Sequence, residues 1–470
     1  MDFRETTVEE LVGAVFSRRV SARDLTQAAI ANIESLNTRL NAFCAVNFED
    51  ALAQADAIDA RLKHGDPVGP LAGIPIGVKD LEDARGFVTT FGAELHAGDA
   101  PAPHDSVLVA LLREAGCVIL GKTNTPEFGF KGVTDNRPFG ATRNPWNLDY
   151  SPGGSSGGTA AALASGMIPL GTGSDGGGSI RIPASVCGFS GIKASQGRVP
   201  AGGPSPPGSG ILTVKGPMAL RVRDVAYALD AVLEHEPTDI FSLPKPAESW
   251  RAALNRDNRP RRVVWSPTMG FATVDSEIMQ HCEAAIAALR DAGVDVVVRE
   301  TIWEEDPRGP WYQFWSASRA RVQGDLRGTP QWEQIDEGLR PQIEHGMDSV
   351  SGVDYARAID ACHYLNLRLV DAFQAGDYIL TPTTCGQTPK AGSSSGTING
   401  TQTDGWVAFT YGINMTRNPA GTVCVGKTRL GLPVGLQIIG NQRDDVGVLK
   451  TMCFLEDLLA QPHNAPAGAT

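Results

Sequence analysis

The fold of this chain is decided by two glycine-rich stretches, SPGGSSGG at residues 151–158 and GSDGGGSIR at residues 173–181. They lie in a longer tract, residues 150–223, in which Gly, Ser, Ala and Pro dominate and Asp175 is the only carboxylate. Glycine lets the backbone approach a ligand closely and turn several N–H groups toward one point. Such a cradle suits either a bound phosphate or the oxyanion of an acyl transfer, and both alternatives start equal.

The phosphate alternative has one literal match and lacks the features that should accompany it. Gly171, Gly173 and Gly176 satisfy the GxGxxG pattern of dinucleotide-binding proteins. That pattern is normally followed about 20 residues later by an acid that holds a ribose hydroxyl, but no Asp or Glu occurs from Gly176 to Arg223. A P-loop would need Gly-Lys-Ser/Thr after its glycines, and neither stretch has it. Acyl transfer at a serine explains the tract better.

A serine nucleophile needs a base, and histidine, its usual partner, is absent from this region. His104 and His235 enclose a stretch without histidine, and paired carboxylates are missing as well. Lysine remains, provided that burial lowers its ordinary pKa of about 10.4. Lys79 ends the apolar segment GPLAGIPIGVKD, residues 69–80, whose alternating branched residues predict a strand. An ordinary ion pair with the neighbouring Asp80 is the alternative role for this lysine.

The composition indicates a folded, acidic protein. Hydrophobic residues make up 42% of the chain, which is enough for a substantial core. Lys and Arg total 41 against 53 Asp and Glu, and the net charge of -12 would repel a nucleic-acid backbone. The first twenty residues lack the apolar run of a signal peptide, and no segment reaches the ~20 apolar residues of a membrane span. We expect a cytoplasmic protein that binds neither nucleic acid nor membrane.

The eight cysteines are widely separated and contain no CxxC pair of the kind that holds zinc. No metal site and no cofactor are predicted.

The order of the apolar segments predicts an α/β fold. Residues 7–63 have helical spacing and predict two or three amphipathic helices. Strands and helices then alternate, which implies a sheet covered by helices, without an internal repeat or a clear domain boundary. The Ser/Gly/Thr-rich residues 391–405 are expected to form a flexible loop. Further strands are predicted at CVILGKTN (117–124), RRVVW (261–265), GDYILTPTT (376–384) and GLPVGLQIIG (431–440), with a helix at 105–114 and a helix–strand unit at 275–298.

Five segments together resemble the amidase signature family of serine hydrolases. They occur in the family's order from the first helices to the last strand, so the resemblance covers nearly the whole chain. It implies a single α/β/α domain, residues 1–470, with a large mixed central sheet flanked by helices and a catalytic core at residues 65–225. The segments are GPLAGIPIGVKD (69–80), GKTNTPEFG (121–129), NPWNLDYSPGGSSGGTAAALASG (144–166), GSDGGGSIRIPAS (173–185) and GLPVGLQIIG (431–440).

The resemblance also implies the catalytic residues. The nucleophile of the family corresponds to Ser179, the bridging serine to Ser155 and the base to Lys79, with a cis peptide bond at Gly154-Ser155. Neutral Lys79 would take a proton from Ser155, which takes one from Ser179 as that hydroxyl attacks a carbonyl. Ser156 is expected to be structural. No cofactor takes part in this chemistry.

The second glycine stretch would supply the oxyanion hole. The backbone N–H groups of Gly176, Gly177 and Gly178, with that of Ser179 itself, are its expected donors. Asp175 and Arg181, on either side of these residues, are expected to brace the loop rather than take part in the chemistry.

The resemblance narrows the activity without fixing the substrate. Gly129 and Phe130 fall where the family lines its acyl pocket, and an ordinary core position is the alternative for the aromatic residue. Gly176 stands where many members carry a bulkier residue, and this spelling resembles the branch of aryl acylamidases and 6-aminohexanoate-oligomer (nylon fragment) hydrolases. We expect an amidase acting on small aryl or aliphatic amides, with carbamates and esters as further substrates. The expected partner is a small-molecule amide, and a homo-oligomer is compatible with the sequence.

One alternative activity remains open. The same motifs occur in the amidase subunit of glutamine-dependent amidotransferases, which delivers ammonia to a bound partner and a charged tRNA. We rank it second because the acidic charge balance gives no help in binding RNA.

Overall fold

The computed structural model describes residues 1–204, 206, 210–463, 465 and 466. Within them the chain alternates strands and helices, as its apolar segments predict. The strands are β1 Phe43–Val46, β2 Pro75–Lys79, β3 Val118–Thr123, β4 Leu170–Asp175, β5 Gly191–Lys193, β6 Val214–Ala219, β7 Arg262–Trp265, β8 Asp295–Val298, β9 Tyr378–Pro382, β10 Gly396–Ile398, β11 Thr401–Thr403, β12 Ala420–Lys427 and β13 Pro433–Ile439.

The strands form two mixed sheets and one hairpin. The first sheet has the order β1-β3-β2-β4-β6, in which β2 runs parallel to both β3 and β4. The second has the order β5-β12-β13-β9-β7-β8, in which β7 runs parallel to β8 and β9. The edge strands β6 and β5 lie next to each other, and the Ser190 N–H donates to the Leu220 carbonyl just beyond them. The predicted α/β fold with mixed sheets flanked by helices is confirmed, with the strands shared between two sheets that meet at their edges.

The first sixty residues form three helices, and strand β1 separates the second from the third. Capping boxes begin the first two helices at Thr7 and Ser21, and Gly65 ends the third in a left-handed conformation. The helices are α1 Val8–Phe16, α2 Ala22–Leu40, α3 Phe48–His64, α4 Val107–Glu114, α5 Gly157–Ala164, α6 Arg181–Cys187, α7 Val222–Asp230, α8 Trp250–Ala253, α9 Ser276–Asp291, α10 Arg308–Gln323, α11 Arg340–Asp348, α12 Gly352–Phe373, α13 Tyr411–Thr416 and α14 Asp445–Leu459.

Helix α5 accounts for some of the small residues of the glycine-rich tract. Every residue of this helix is buried, and the helix packs closely against the sheet. A β-carbon at Gly171 of β4 would lie 2.7 Å from Cγ2 of Thr159 on α5. Real β-carbons do not approach a neighbour so closely, so the helix can lie against the sheet only because the strand has no side chain there. Gly171 therefore lets α5, which begins in the first glycine-rich stretch, pack against β4, which ends in the second.

The segment at residues 391–405 contains a structure that its composition does not predict. It was expected to be a flexible loop, and it contains the hairpin β10–β11, with Gly396 opposite Thr403 and Ile398 opposite Thr401. Both turn residues, Asn399 and Gly400, have positive φ. Asn-Gly is the favoured dipeptide for such a two-residue turn, so the sequence did contain the information.

None of the described helices combines the length and the apolar character needed to cross a bilayer.

Candidate active site

Lys79 lies at the carboxyl end of β2, between two parallel neighbours, and its side chain is fully buried. Its Nζ contacts three serine hydroxyls: Ser155 Oγ at 2.7 Å, Ser156 Oγ at 2.9 Å and Ser174 Oγ at 3.0 Å. The structure therefore brings together two of the three predicted catalytic residues. Ser174 was not predicted, and Ser156, expected to be structural, contacts the lysine directly.

Burial dominates the electrostatics of this lysine. It lowers the pKa of Lys79 to about 7, and the more distant Glu82 and Asp175 only partly oppose it. The alternative, an ion pair with Asp80, does not form: the Asp80 carboxylate lies 3.0 Å from Nζ of Lys122. Successive residues of a strand point to opposite faces, so the adjacent acid is directed away from the amine. Among the ion pairs of the described residues, none includes Lys79.

The backbone around Ser155 is held on both sides. The Gly154-Ser155 peptide bond is cis, as the family resemblance predicted. A β-carbon at Gly154 would lie 2.6 Å from the carbonyl carbon of Val133, so only glycine fits there. Thr125 Oγ1 donates to the Ser155 carbonyl at 2.9 Å. These contacts fix the Ser155 hydroxyl against the amine of Lys79.

Ser179 is partly exposed and lines a cavity. Its carbonyl accepts a hydrogen bond from the Ser156 N–H at 3.3 Å, which joins the two glycine-rich stretches. The third predicted catalytic residue thus lies next to the segment that carries the other serines.

The Asp175 carboxylate organises the loop before Ser179. It accepts hydrogen bonds from the Gly178 N–H at 2.7 Å and the Ile180 N–H at 3.2 Å, and its Oδ1 lies 2.8 Å from Nη2 of Arg181. Burial acts to raise the pKa of Asp175, but Arg181 and the hydrogen bond from Asn414 outweigh it and hold that pKa well below its usual range. Asp175 and Arg181 therefore brace the loop, as expected.

Asp175→Asn is expected to lower the free energy of unfolding by about 3–5 kcal/mol, because it leaves the buried Arg181 charge without its partner. The matched control is Glu9→Ala, which breaks the exposed pair with Arg251 and should cost about 1 kcal/mol or less. Urea denaturation of both variants measures the difference. Equal losses in the two variants would contradict the bracing role.

Side chains donate hydrogen bonds to two carbonyls of the loop, while several of its N–H groups have no acceptor among the described residues. The Gly176 carbonyl accepts from Nε1 of Trp311 at 3.1 Å, and the Gly177 carbonyl accepts from Oγ1 of Thr410 at 2.6 Å. The Gly178 N–H, one of the three predicted oxyanion donors, already donates to Asp175. Within the described part of the chain, the N–H groups of Gly176, Gly177 and Ser179 donate to no protein acceptor.

The cavity that Ser179 lines has a volume of about 440 Å³, and its lining includes six aromatic residues. The predicted residues Gly129 and Phe130 both line it, and a β-carbon at Gly129 would lie 3.2 Å from Ser155 Oγ. The other aromatic residues come from α10 and from residues 406–411, which were not predicted to belong to the site. In the sequence, the aromatic cluster WYQFW at residues 311–315 is the feature that could have indicated those on α10. The aromatic lining consists of Phe130, Trp311, Tyr312, Trp315, Trp406 and Tyr411.

The family of this chain follows from comparison with known proteins. The family model "Amidase" matches residues 24–449. The chain belongs to the amidase signature family. It is an enzyme of the amidase class, and the recognition made from its five sequence segments is confirmed.

Curated relatives align with this amidase over nearly its full length. An acylamidase of Rhodococcus erythropolis is 34% identical over 98% of the chain and 97% of its own length. A glutamyl-tRNA(Gln) amidotransferase subunit of Synechococcus sp. (strain CC9902) is 33% identical over 99% of both proteins.

Two solved structures share the fold over 99% of both chains. A bacterial aryl acylamidase of the amidase signature family is 29% identical, with a TM-score of 0.92. A 6-aminohexanoate cyclic dimer hydrolase is 30% identical, with a TM-score of 0.88.

Proposed function

We propose that this amidase hydrolyses the C–N bond of small amides through an acyl-enzyme on Ser179, with Ser155 and Lys79 relaying the proton. The observation that supports it most is the buried amine of Lys79, 2.7 Å from Ser155 Oγ and without a carboxylate partner among the described residues. An amine whose pKa lies at about 7 is substantially neutral at physiological pH and can act as a base.

The proposed reaction begins with proton transfer. Lys79 takes the proton of Ser155, Ser155 takes that of Ser179, and Ser179 Oγ forms a bond to the carbonyl carbon of the substrate. The oxyanion is bound by the free N–H groups of Gly176, Gly177 and Ser179. Collapse breaks the C–N bond, and the proton returns from Lys79 through Ser155 to the leaving nitrogen. Water then attacks the acyl-enzyme by the same relay and releases the acid.

The cavity wall supports aryl amides as the preferred substrates. Aromatic side chains bind a flat ring through stacked and edge-to-face contacts, and Trp311 and Trp315 already stack with centroids 5.1 Å apart. The similarity to an aryl acylamidase supports the same substrate class. Carbamates and esters present an equivalent carbonyl and are included in the proposal, while nucleic acid and membranes have no part in it.

The amidotransferase alternative has one observation in its favour, the full-length similarity to a glutamyl-tRNA(Gln) amidotransferase subunit. It differs from our proposal in substrate and in the need for a partner. Assays of the isolated chain with a panel of p-nitroanilides, aliphatic amides and L-glutamine separate the two. We expect anilide turnover by the chain alone and little hydrolysis of glutamine. Hydrolysis of glutamine without any turnover of anilides would favour the alternative.

A further inference from the structure

An indole of the cavity wall is hydrogen-bonded to the oxyanion loop. Trp311, on α10, donates its Nε1–H to the Gly176 carbonyl at 3.1 Å, and the same side chain lines the cavity. Its ring stacks on Trp315 at an interplanar angle of 18° and lies 5.5 Å from the ring of Tyr411. The indole is thus packed against two aromatic rings while its N–H reaches the loop.

The two indoles lie against the loop at positions where the loop has glycines and no side chains. A β-carbon at Gly177 would lie 2.9 Å from Cζ2 of Trp311, and one at Gly176 would lie 3.2 Å from Cζ3 of Trp315 and 2.6 Å from Oγ1 of Thr213. A side chain at either position would push the indoles away from the loop. Gly177 therefore leaves room for Trp311, and the extra glycine of this sequence, Gly176, leaves room for Trp315 and Thr213.

Peptide geometry makes the contact of Trp311 directional. The carbonyl of Gly176 and the N–H of Gly177 belong to one planar trans peptide, so they point in opposite directions. An indole that holds the carbonyl on one side fixes the N–H on the other. A hydrogen bond to the carbonyl oxygen also polarises the peptide and strengthens its N–H as a donor.

The next peptide of the loop obeys the same geometry. Thr410 holds the Gly177 carbonyl, and the Gly178 N–H on the opposite side of that peptide donates to Asp175. An anchored carbonyl therefore fixes the direction of the N–H on the other side of its peptide. In the peptide between Gly177 and Gly178 that N–H donates to Asp175, whereas in the preceding peptide the Gly177 N–H donates to none of the described protein groups.

We propose that Trp311 is a positioning residue of this amidase: through the Gly176 carbonyl it aims the Gly177 N–H at the oxyanion. The proposal rests on the proposed acyl chemistry at Ser179. It adds that Trp311 links the cavity wall to the oxyanion hole. An aryl group packed against Trp311 therefore also orders the Gly177 N–H, the donor that stabilises the transition state.

Trp311→Phe tests the proposal, because it keeps an aromatic ring and removes only the indole N–H and its second ring. The matched control is Trp315→Phe in the same stack and the same cavity, whose Nε1 donates at 2.9 Å to Gln342 instead of the loop. For a p-nitroanilide we expect Trp311→Phe to lower kcat about tenfold or more, since loss of an oxyanion donor costs roughly 10²–10³ and misdirection somewhat less. Because both side chains line the cavity, we expect KM to change modestly in both variants, and kcat to fall severalfold further in Trp311→Phe than in Trp315→Phe.

An inhibitor series gives a second readout that a packing defect would not reproduce. An aryl trifluoromethyl ketone forms a serine adduct with a negative oxygen, whereas the aniline product binds without one. Trp311→Phe should weaken the ketone by about the factor lost in kcat, and weaken the aniline by no more than the modest change in KM. Equal effects of the two variants on kcat, or unchanged ketone affinity in Trp311→Phe, would overturn the positioning role.

The controls also separate this proposal from the function on which it rests. If the wild type neither hydrolyses anilides nor forms the ketone adduct, the proposed function fails and the role of Trp311 fails with it. If the wild type does both and Trp311→Phe behaves like Trp315→Phe, only the role of Trp311 is overturned.

Discussion

Ser179→Ala is expected to reduce kcat/KM for anilides by about 10⁴-fold or more, because it removes the oxygen that forms the acyl bond. The residual rate would come from the oxyanion hole and from substrate binding, both of which the variant keeps. Initial rates with a p-nitroanilide measure the loss. The fold should be unaffected, because the contact that joins Ser179 to Ser156 is made by its carbonyl oxygen and not by its hydroxyl.

Covalent labelling locates the nucleophile independently of the choice of substrate. A fluorophosphonate should modify Ser179 in the wild type, and the label should disappear in Ser179→Ala. Ser185→Ala is the matched control: this serine is buried on α6, six positions along the same segment, and its hydroxyl has no hydrogen-bond partner among the described residues. We expect it to retain both labelling and turnover. A label on another residue, or undiminished turnover by Ser179→Ala, would remove Ser179 from the mechanism.

The sequence allowed the lysine and its strand to be predicted, but not the partners of the lysine. Lys79 and Asp80 are adjacent, and no pattern in one dimension shows that Asp80 pairs with Lys122. That choice follows from the parallel register of β2 and β3, in which Lys79 lies opposite Thr123 and Val78 opposite Lys122. The isolation of the Lys79 amine from carboxylates is therefore a property of the sheet.

The oxyanion loop shows the same limit. The glycines could be recognised as a cradle, but the commitment of the Gly178 N–H to Asp175 depends on the local path of the backbone. Half of the six aromatic residues that line the cavity come from α10, more than a hundred residues beyond the loop in the chain. Side chains that meet only through tertiary packing leave no spacing in the sequence to detect.

The pH dependence of activity is expected to follow the protonation of the Lys79 amine. Burial lowers the pKa of Lys79 from its ordinary value of 10.5 to about 7, and the neutral form is the base. Below pH 7 the fraction of neutral amine, and with it kcat/KM, should rise about tenfold per pH unit, and above pH 7 it should level off. A rate profile from about pH 5 to about pH 9 measures this. A profile that is flat, or that falls as the pH rises through 7, would contradict a lysine base.

Lys79→Met is expected to abolish this activity, with a loss of about 10⁴-fold, because it keeps most of the length of the side chain and removes the proton acceptor. It should also change the pH dependence of stability. In the wild type the unfolded chain binds this proton up to about pH 10.5 and the folded chain only up to about pH 7. Between these values the unfolded state holds more protons, so the wild type gains stability as the pH rises, whereas Lys79→Met lacks this gain.

Lys193 provides the control that separates a base from a merely buried lysine. Burial, aided by the charge of Arg181, lowers the pKa of Lys193 to about 7 as well, but its Nζ contacts the Ala194 carbonyl and no serine among the described residues. Lys193→Met should therefore lose the same stability gain between pH 7 and the ordinary lysine pKa of 10.5 while keeping most of the anilide activity. If the two variants lose activity equally, the effect of Lys79→Met reports damage to the buried core, and the proton relay through Ser155 must be abandoned.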